Sequence, residues 1–306
     1  MVASTQHLST ASDISYSGQQ IIQALQTLLL QRLSPSALDW LNQSCQQLSE
    51  AASERFLFTR FSAASRRVGK VDLALTEPQL QMAQTLRAGW MPGGWSTDQA
   101  VRTLLLLSFP DEDSDRYVAA IEKLLSAADV AEQVALYQSL PLLAYPERLR
   151  AHAIDGLRTN VTAAFNAIAL NNPYPADYFD EAAWNQMVLK ALFVDSRLSQ
   201  IQGLEARANA KLAQMLSDYA HERWAAGRPV NPQLWRPLGL FATGSLVADL
   251  ERALSSDVPH EQQAAALACA SAPSAAARTL LARVPTLQQQ VASGQLTWEL
   301  LSITHP

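Results

Sequence analysis

Between Asn209 and Ala226 the apolar residues Leu212, Met215, Leu216 and Tyr219 fall three and four positions apart. That spacing puts them on one face of an α-helix. Gly227 just past the stripe and Pro229 two residues on are stop signals. The same period recurs between Arg148 and Leu170, through Ile154, Leu157, Val161, Ala164, Phe165 and Ile168. From about Tyr178 to Phe193 the pattern is apolar nearly all round, as in a buried helix. Strict polar/apolar alternation, the mark of a half-buried strand, is hard to find. Prolines cut the chain into helix-length pieces. Those in Ser34-Pro35, Glu77-Pro78 and Ala272-Pro273 sit where the first helical residue would fall and the missing N–H costs nothing. The prediction is an all-α protein, an irregular array of antiparallel helix pairs built as an α-solenoid (HEAT-like) or a helical bundle. Small-residue helices over His260–Ala270 and Ser274–Leu281 lean towards the solenoid, although no strict repeat period is present.

Composition sharpens this picture. Alanine and leucine dominate and glycine is scarce, 11 among 306 residues, which favours helix. Hydrophobic residues make up 48% and charged residues 17%, which excludes wholesale disorder. Residues 1–17 read as a disordered tail, 18–145 as an N-terminal helical region and 146–306 as a C-terminal helical region, with a seam near Tyr145–Pro146. The stretch Ala88–Ser96 breaks the helical pattern with Pro and Gly beside Trp90 and Trp95. It is either a domain seam or a loop that packs its own aromatics.

Lys plus Arg total 23 and Asp plus Glu 28, a net charge of −5. This argues against a nucleic-acid partner, which calls for a basic footprint. The small cluster Arg66-Arg67-x-x-Lys70 has no interleaved aromatics. Cys45 and Cys269 are far apart, so neither a disulfide framework nor a zinc ribbon is expected. The first residues lack the basic and apolar regions of a secretion signal. The longest leucine run, Leu104–Leu107, is far short of the ~20 apolar residues of a transmembrane segment. A soluble, cytoplasmic protein without a cofactor is the expectation.

Candidate chemistry concentrates in the central segment. Trp184, Met187, Val188, Ala191 and Leu192 share one helical stripe, and Asn185 and Lys190 interrupt faces that should be apolar. Buried, such polar groups need partners. Asp218-x-x-His221-Glu222 places two carboxylates and an imidazole on adjoining faces of one turn, a spacing that serves a shared metal or an acid/base pair. A solvated helix face is its simplest account. His152 is a candidate to join that block in space, or to pair on the surface with Arg148 and Asp155. Arg223 falls on an apolar stripe, where it either snorkels or forks onto a carboxylate or anionic ligand. Trp184, Trp224 and Trp235 are core anchors first and ligand stackers second. Asn172-Pro173-Tyr174-Pro175 makes a rigid corner that admits a cis bond. The signatures GxSxG, GxxxxGK[ST] and GxGxxG are missing.

The run from Gly156 to Phe241, including NNPYPADYFDEAAWNQMVLKALF and SDYAHERWAAGRPVNPQLWRPLGLF, resembles the EboA family of metabolite traffic proteins. The tail GQLTWELL, Gly294–Leu301, is similar to that family's C-terminal end. GLEARANAKL reads as a loosened form of the family's acidic-Arg-Asn stretch, which favours roles for Arg207 and Asn209 over one for Glu205. The resemblance implies a bacterial cytosolic protein whose operon products move a secondary-metabolite precursor between compartments. It implies membrane and enzyme-like partners from that operon and supplies no catalytic residues.

Three readings follow. In the first, a non-enzymatic binder or adaptor lines its site with Trp184, Asn185, Lys190, Arg223 and Trp224, and Lys190 or Arg223 meets an anionic group of the precursor. In the second, an enzyme uses Asp218, His221 and Glu222, joined by His152, as acid/base or metal residues converging on a cavity. In the third, the dense blocks are only core.

Overall fold

The computed structural model describes residues 11–51 and 53–304. They form eighteen α-helices and no strand. The one β-type contact among them is an isolated bridge between Asp72 and Ser96. The all-α prediction therefore holds. Among the described residues, no helix is long and apolar enough to cross a membrane. The expected N-terminal tail lies outside the described residues as far as residue 10, and α1 is assigned from Ala11.

The chain divides into two compact units, residues 1–178 and 179–306. In the first run α1 (Ala11–Leu30), α2 (Pro35–Ala51), α3 (Glu54–Val68), α4 (Glu77–Leu86), α5 (Thr97–Leu107), α6 (Ser114–Ala127), α7 (Val130–Ser139), α8 (Arg150–Gly156), α9 (Thr162–Ala169) and α10 (Tyr174–Tyr178). The second unit has α11 (Glu181–Phe193), α12 (Ala210–Ala225), α13 (Trp235–Gly239), α14 (Ser245–Leu254), α15 (Pro259–Ser271), α16 (Ala275–Ala282), α17 (Pro285–Ala292) and α18 (Trp298–Thr304).

The first unit is organised around α5. Its sequence AVRTLLLL is almost wholly buried, with α1, α2, α3 and α7 packed on it. Even its charges are inside. Arg102 Nη1 donates to Asp98 Oδ2 at 2.5 Å one turn back, and Arg102 Nε donates to the Phe61 carbonyl at 3.2 Å. The Ala88–Ser96 stretch proves to be a loop that packs its own aromatics. Pro92–Gly94 makes a 3-10 turn, and the buried Trp90 and Trp95 rings lie 6.0 Å apart.

Tyr145–Pro146 is a local feature inside this unit. Tyr145 is left-handed (φ 53°), its hydroxyl donates to the Asp111 carbonyl at 2.8 Å, and a 3-10 turn over Pro146–Leu149 leads into α8. Both α8 and α9 belong to the first unit, α9 packing on α7, so the division falls at Tyr178/Phe179. The single period read over Arg148–Leu170 is split in two. A Cβ on Gly156 would fall 2.7 Å from Tyr137 Cζ, and the Thr159 hydroxyl accepts from Val161 N at 3.1 Å to start the next helix. The Asn172-Pro173-Tyr174-Pro175 corner has trans peptide bonds. The buried Asn172 amide locks it, donating to the Tyr137 and Ala167 carbonyls and accepting from Tyr174 N.

In the second unit α15 is the enclosed helix, touched by α13, α14, α16, α17 and α18. Its inward positions are small, including Ala264, Ala265 and Ala268, so neighbours approach its backbone. A Cβ on Gly239 would lie 2.8 Å from the Ala268 Cα and carbonyl oxygen. Pro35 opens its helix as the missing-donor argument requires, whereas Pro78 stands second in α4, after Glu77. Pro273 opens no helix, because Ser274 caps α16 by accepting from Ala276 N at 3.1 Å and the proline stands before the cap. Gly227 ends α12 with φ 62°, as expected.

Candidate functional site

Ser217, His221 and Trp224 stand at i, i+4 and i+7 on α12 and so share a face. Asparagine caps this helix, with Asn209 Oδ1 accepting from Leu212 N at 2.8 Å. Facing it, α14 supplies Asp249 and Arg252 from adjacent turns, and α13 supplies Trp235.

Asp249 is the hub. It is 6% exposed, yet both its oxygens are used. Ser217 Oγ donates to Oδ2 at 2.6 Å, and His221 Nε2 lies 2.6 Å from Oδ1. A carboxylate only accepts, so Nε2 is the donor of this bond. The His221 side chain is 58% exposed, so the network runs from the interior to the surface. The imidazole lies 5.6 Å from the half-buried Trp224 ring, which stacks on the fully buried Trp235 at 5.7 Å. The exposed Arg252 guanidinium sits 4.1 Å from the centre of the Trp224 ring, within cation–π range. The result is a small surface patch, imidazole and guanidinium against indole, fixed from beneath by a buried carboxylate.

The order of the network limits its chemistry. Ser217 donates to the carboxylate and not to the imidazole, so this is not a serine nucleophile activated by histidine. An imidazole oriented by a carboxylate is a competent base. A guanidinium beside an aromatic ring suits a planar or anionic group.

The structure distributes the other candidates widely. Trp184 is fully buried, with the Arg207 guanidinium 4.9 Å from its ring centre. Asn185, also buried, exchanges two amide hydrogen bonds with Asn209 at 2.8 and 3.1 Å, and so braces the cap of α12. Arg207 donates to the Phe179 carbonyl at 2.7 Å. Arg207 and Asn209 therefore have structural partners. Glu205 pairs with Arg236. Lys190 is half-buried in the last turn of α11. Arg223 donates to the Pro229 carbonyl at 2.9 Å, closing the turn after α12.

Of the Asp218-x-x-His221-Glu222 block, only His221 turns to Asp249. Asp218 accepts from Gln214 one turn back at 2.8 Å, and Glu222 is exposed. His152, in the first unit, lies 3.1 Å from Glu122. Among the described residues, no three His, Cys, Asp or Glu side chains are grouped to hold a metal ion. Sequence reasoning missed Ser217, Asp249 and Arg252. The first was findable as the i−4 neighbour of His221. The other two lie on a separate helix, and no local pattern ties them to α12.

The model of a family described as Metabolite traffic protein EboA matches residues 21–239 of the 306-residue chain. The chain belongs to the EboA family. The match takes in Ser217, His221, Trp224 and Trp235, whereas Asp249, Arg252 and the Gly294–Leu301 tail lie beyond it. No curated protein and no solved structure matches the chain.

Proposed function

We propose that this EboA-family chain is a non-enzymatic binding or adaptor protein in secondary-metabolite precursor traffic, working in the cytoplasm with other products of its operon. Its docking surface is the patch of His221, Trp224 and Arg252, where an anionic or planar group of the cargo or partner is received. One observation carries the assignment to this patch. The Arg252 guanidinium lies 4.1 Å over Trp224 at the surface while Asp249, buried beneath, holds His221 in place. Tryptophan and arginine are the residue types that dominate binding energy at recognition surfaces, and a patch fixed in advance loses little entropy on binding. Of the five residues expected to line a ligand site, Trp224 is the surface anchor. Asn185 acts through the α12 cap, and Trp184 packs behind it under Arg207. Native mass spectrometry of the full chain purified gently from its own cells tests the reading. A bound organic mass or a co-purifying operon product is expected, and a bare chain contradicts it.

The His221–Asp249 pair favours a second reading, an enzyme with His221 as base and Asp249 as its orienting group. If the precursor is converted on incubation with the protein, and His221→Gln abolishes the conversion, this second reading replaces the first.

A further inference from the structure

A groove of about 620 Å³ opens in the first unit where α1, α2 and the Leu107–Glu112 segment meet. Its size falls among small-molecule sites. Its apolar lining comprises the half-buried Ile22, Leu107 and Pro110 and the buried Phe109. The walls are amide-rich. Gln19 and Gln26 stand seven residues apart on α1, and Asn42 and Gln46 four apart on α2, so each pair shares one face of its helix. Asp111 and Glu112 line the same groove. Among the described lining residues there is no Lys, Arg or His.

This lining selects a ligand class. A carboxamide both donates and accepts, and a carboxylate accepts, so together they match hydroxyl groups in either role and ammonium groups as donors. Phosphate and carboxylate ligands are recognised by cationic groups, and the described lining residues supply none. Asp111 also gains from a cation, since desolvation and then the charge of Glu112 push its carboxyl up from the ordinary carboxylate value. We propose that the groove binds a polyhydroxylated small molecule that is uncharged or carries an ammonium group. This goes beyond the reading of the α12–α14 surface and does not depend on it.

The test uses the full chain with glucose, glucosamine and glucose 6-phosphate as probes in saturation-transfer NMR. Transfer to glucose and glucosamine is expected, with glucose 6-phosphate weaker by about tenfold or more, equivalent to about 1.4 kcal/mol. Gln26→Ala combined with Gln46→Ala, both at exposed helix positions, should keep the melting temperature and lose the transfer. Asp111→Asn should weaken glucosamine more than glucose. Cys45, half-buried in the groove, locates the bound probe, because its alkylation by iodoacetamide should slow when glucosamine is present. Cys269 is fully buried and gives no competing signal. Failure of both sugars to bind, equal binding of the phosphate, or unchanged binding by the double variant would overturn the proposal.

Discussion

Each unit contains a buried aspartate facing a cationic or imidazole partner, and the two are used differently. In the first unit Asp98 and Arg102 are both inside, 4% and 2% exposed, and Phe61 covers them. In the second unit Asp249 is inside but its partner His221 is mostly outside. A pair with both ends buried is sealed against ligand and solvent, so its role is structural. Both Asp98 and Arg102 lie on α5, and Arg102 ties that helix to α3 through the Phe61 carbonyl. A pair with one end at the surface transmits the order of the interior to a group that can meet something else. Burial of a carboxylate alone therefore does not mark a site.

Substitutions should separate the two pairs. Arg102→Met leaves Asp98 buried without its ion partner and should cost about 3–5 kcal/mol, read as an early urea midpoint. Gly239→Ala forces α13 away from the Ala268 backbone and should cost about 1–3 kcal/mol in the same assay. Asp249→Ala removes the acceptor of the Ser217 hydroxyl and should cost about 1–3 kcal/mol, less than the sealed pair. It should also abolish whatever docks at His221, which Arg102→Met would not do in protein that remains folded. Arg252→Ala lies at the surface and should change stability by less than about 0.5 kcal/mol while weakening docking strongly. An Arg252→Ala that unfolds the protein would place it with Arg102 and break the comparison.

The thiol of Cys269 gives a smaller, pH-dependent effect. Burial pushes it up from 9.0 to about 12. The unfolded chain ionises first as pH rises, so this contribution to stability is full below pH 9 and declines from there towards 12. Cys269→Ala should flatten part of the alkaline fall in melting temperature. A fall unchanged by the substitution would assign it to the buried tyrosines, among them Tyr117, whose hydroxyl burial likewise pushes up.

The elements were more legible than their meetings. The stripe of α12 and its stop at Gly227 follow from local spacing, as does the all-α class. The split between α8 and α9 was not legible, because the apolar spacing runs through it without interruption. Nor was the division at Tyr178/Phe179, since prolines and glycines mark turns within a unit as readily as boundaries between units. At the site, Trp224 and His221 stood out by type. Asp249, 28 residues from His221, is recognisable only once α14 packs on α12. The asparagine pair shows the converse. Asn185 looked like a ligand contact because it interrupted an apolar face, and the structure gives that polarity to the cap of the neighbouring helix.

If the His221–Trp224–Arg252 surface receives a cargo or partner, removing its guanidinium should release what is bound. Native mass spectra of the wild type and Arg252→Ala, purified side by side from the producing cells, test it most directly. A bound mass is expected on the wild type and should be lost or sharply reduced on an equally stable Arg252→Ala. The same bound fraction on both proteins would contradict it.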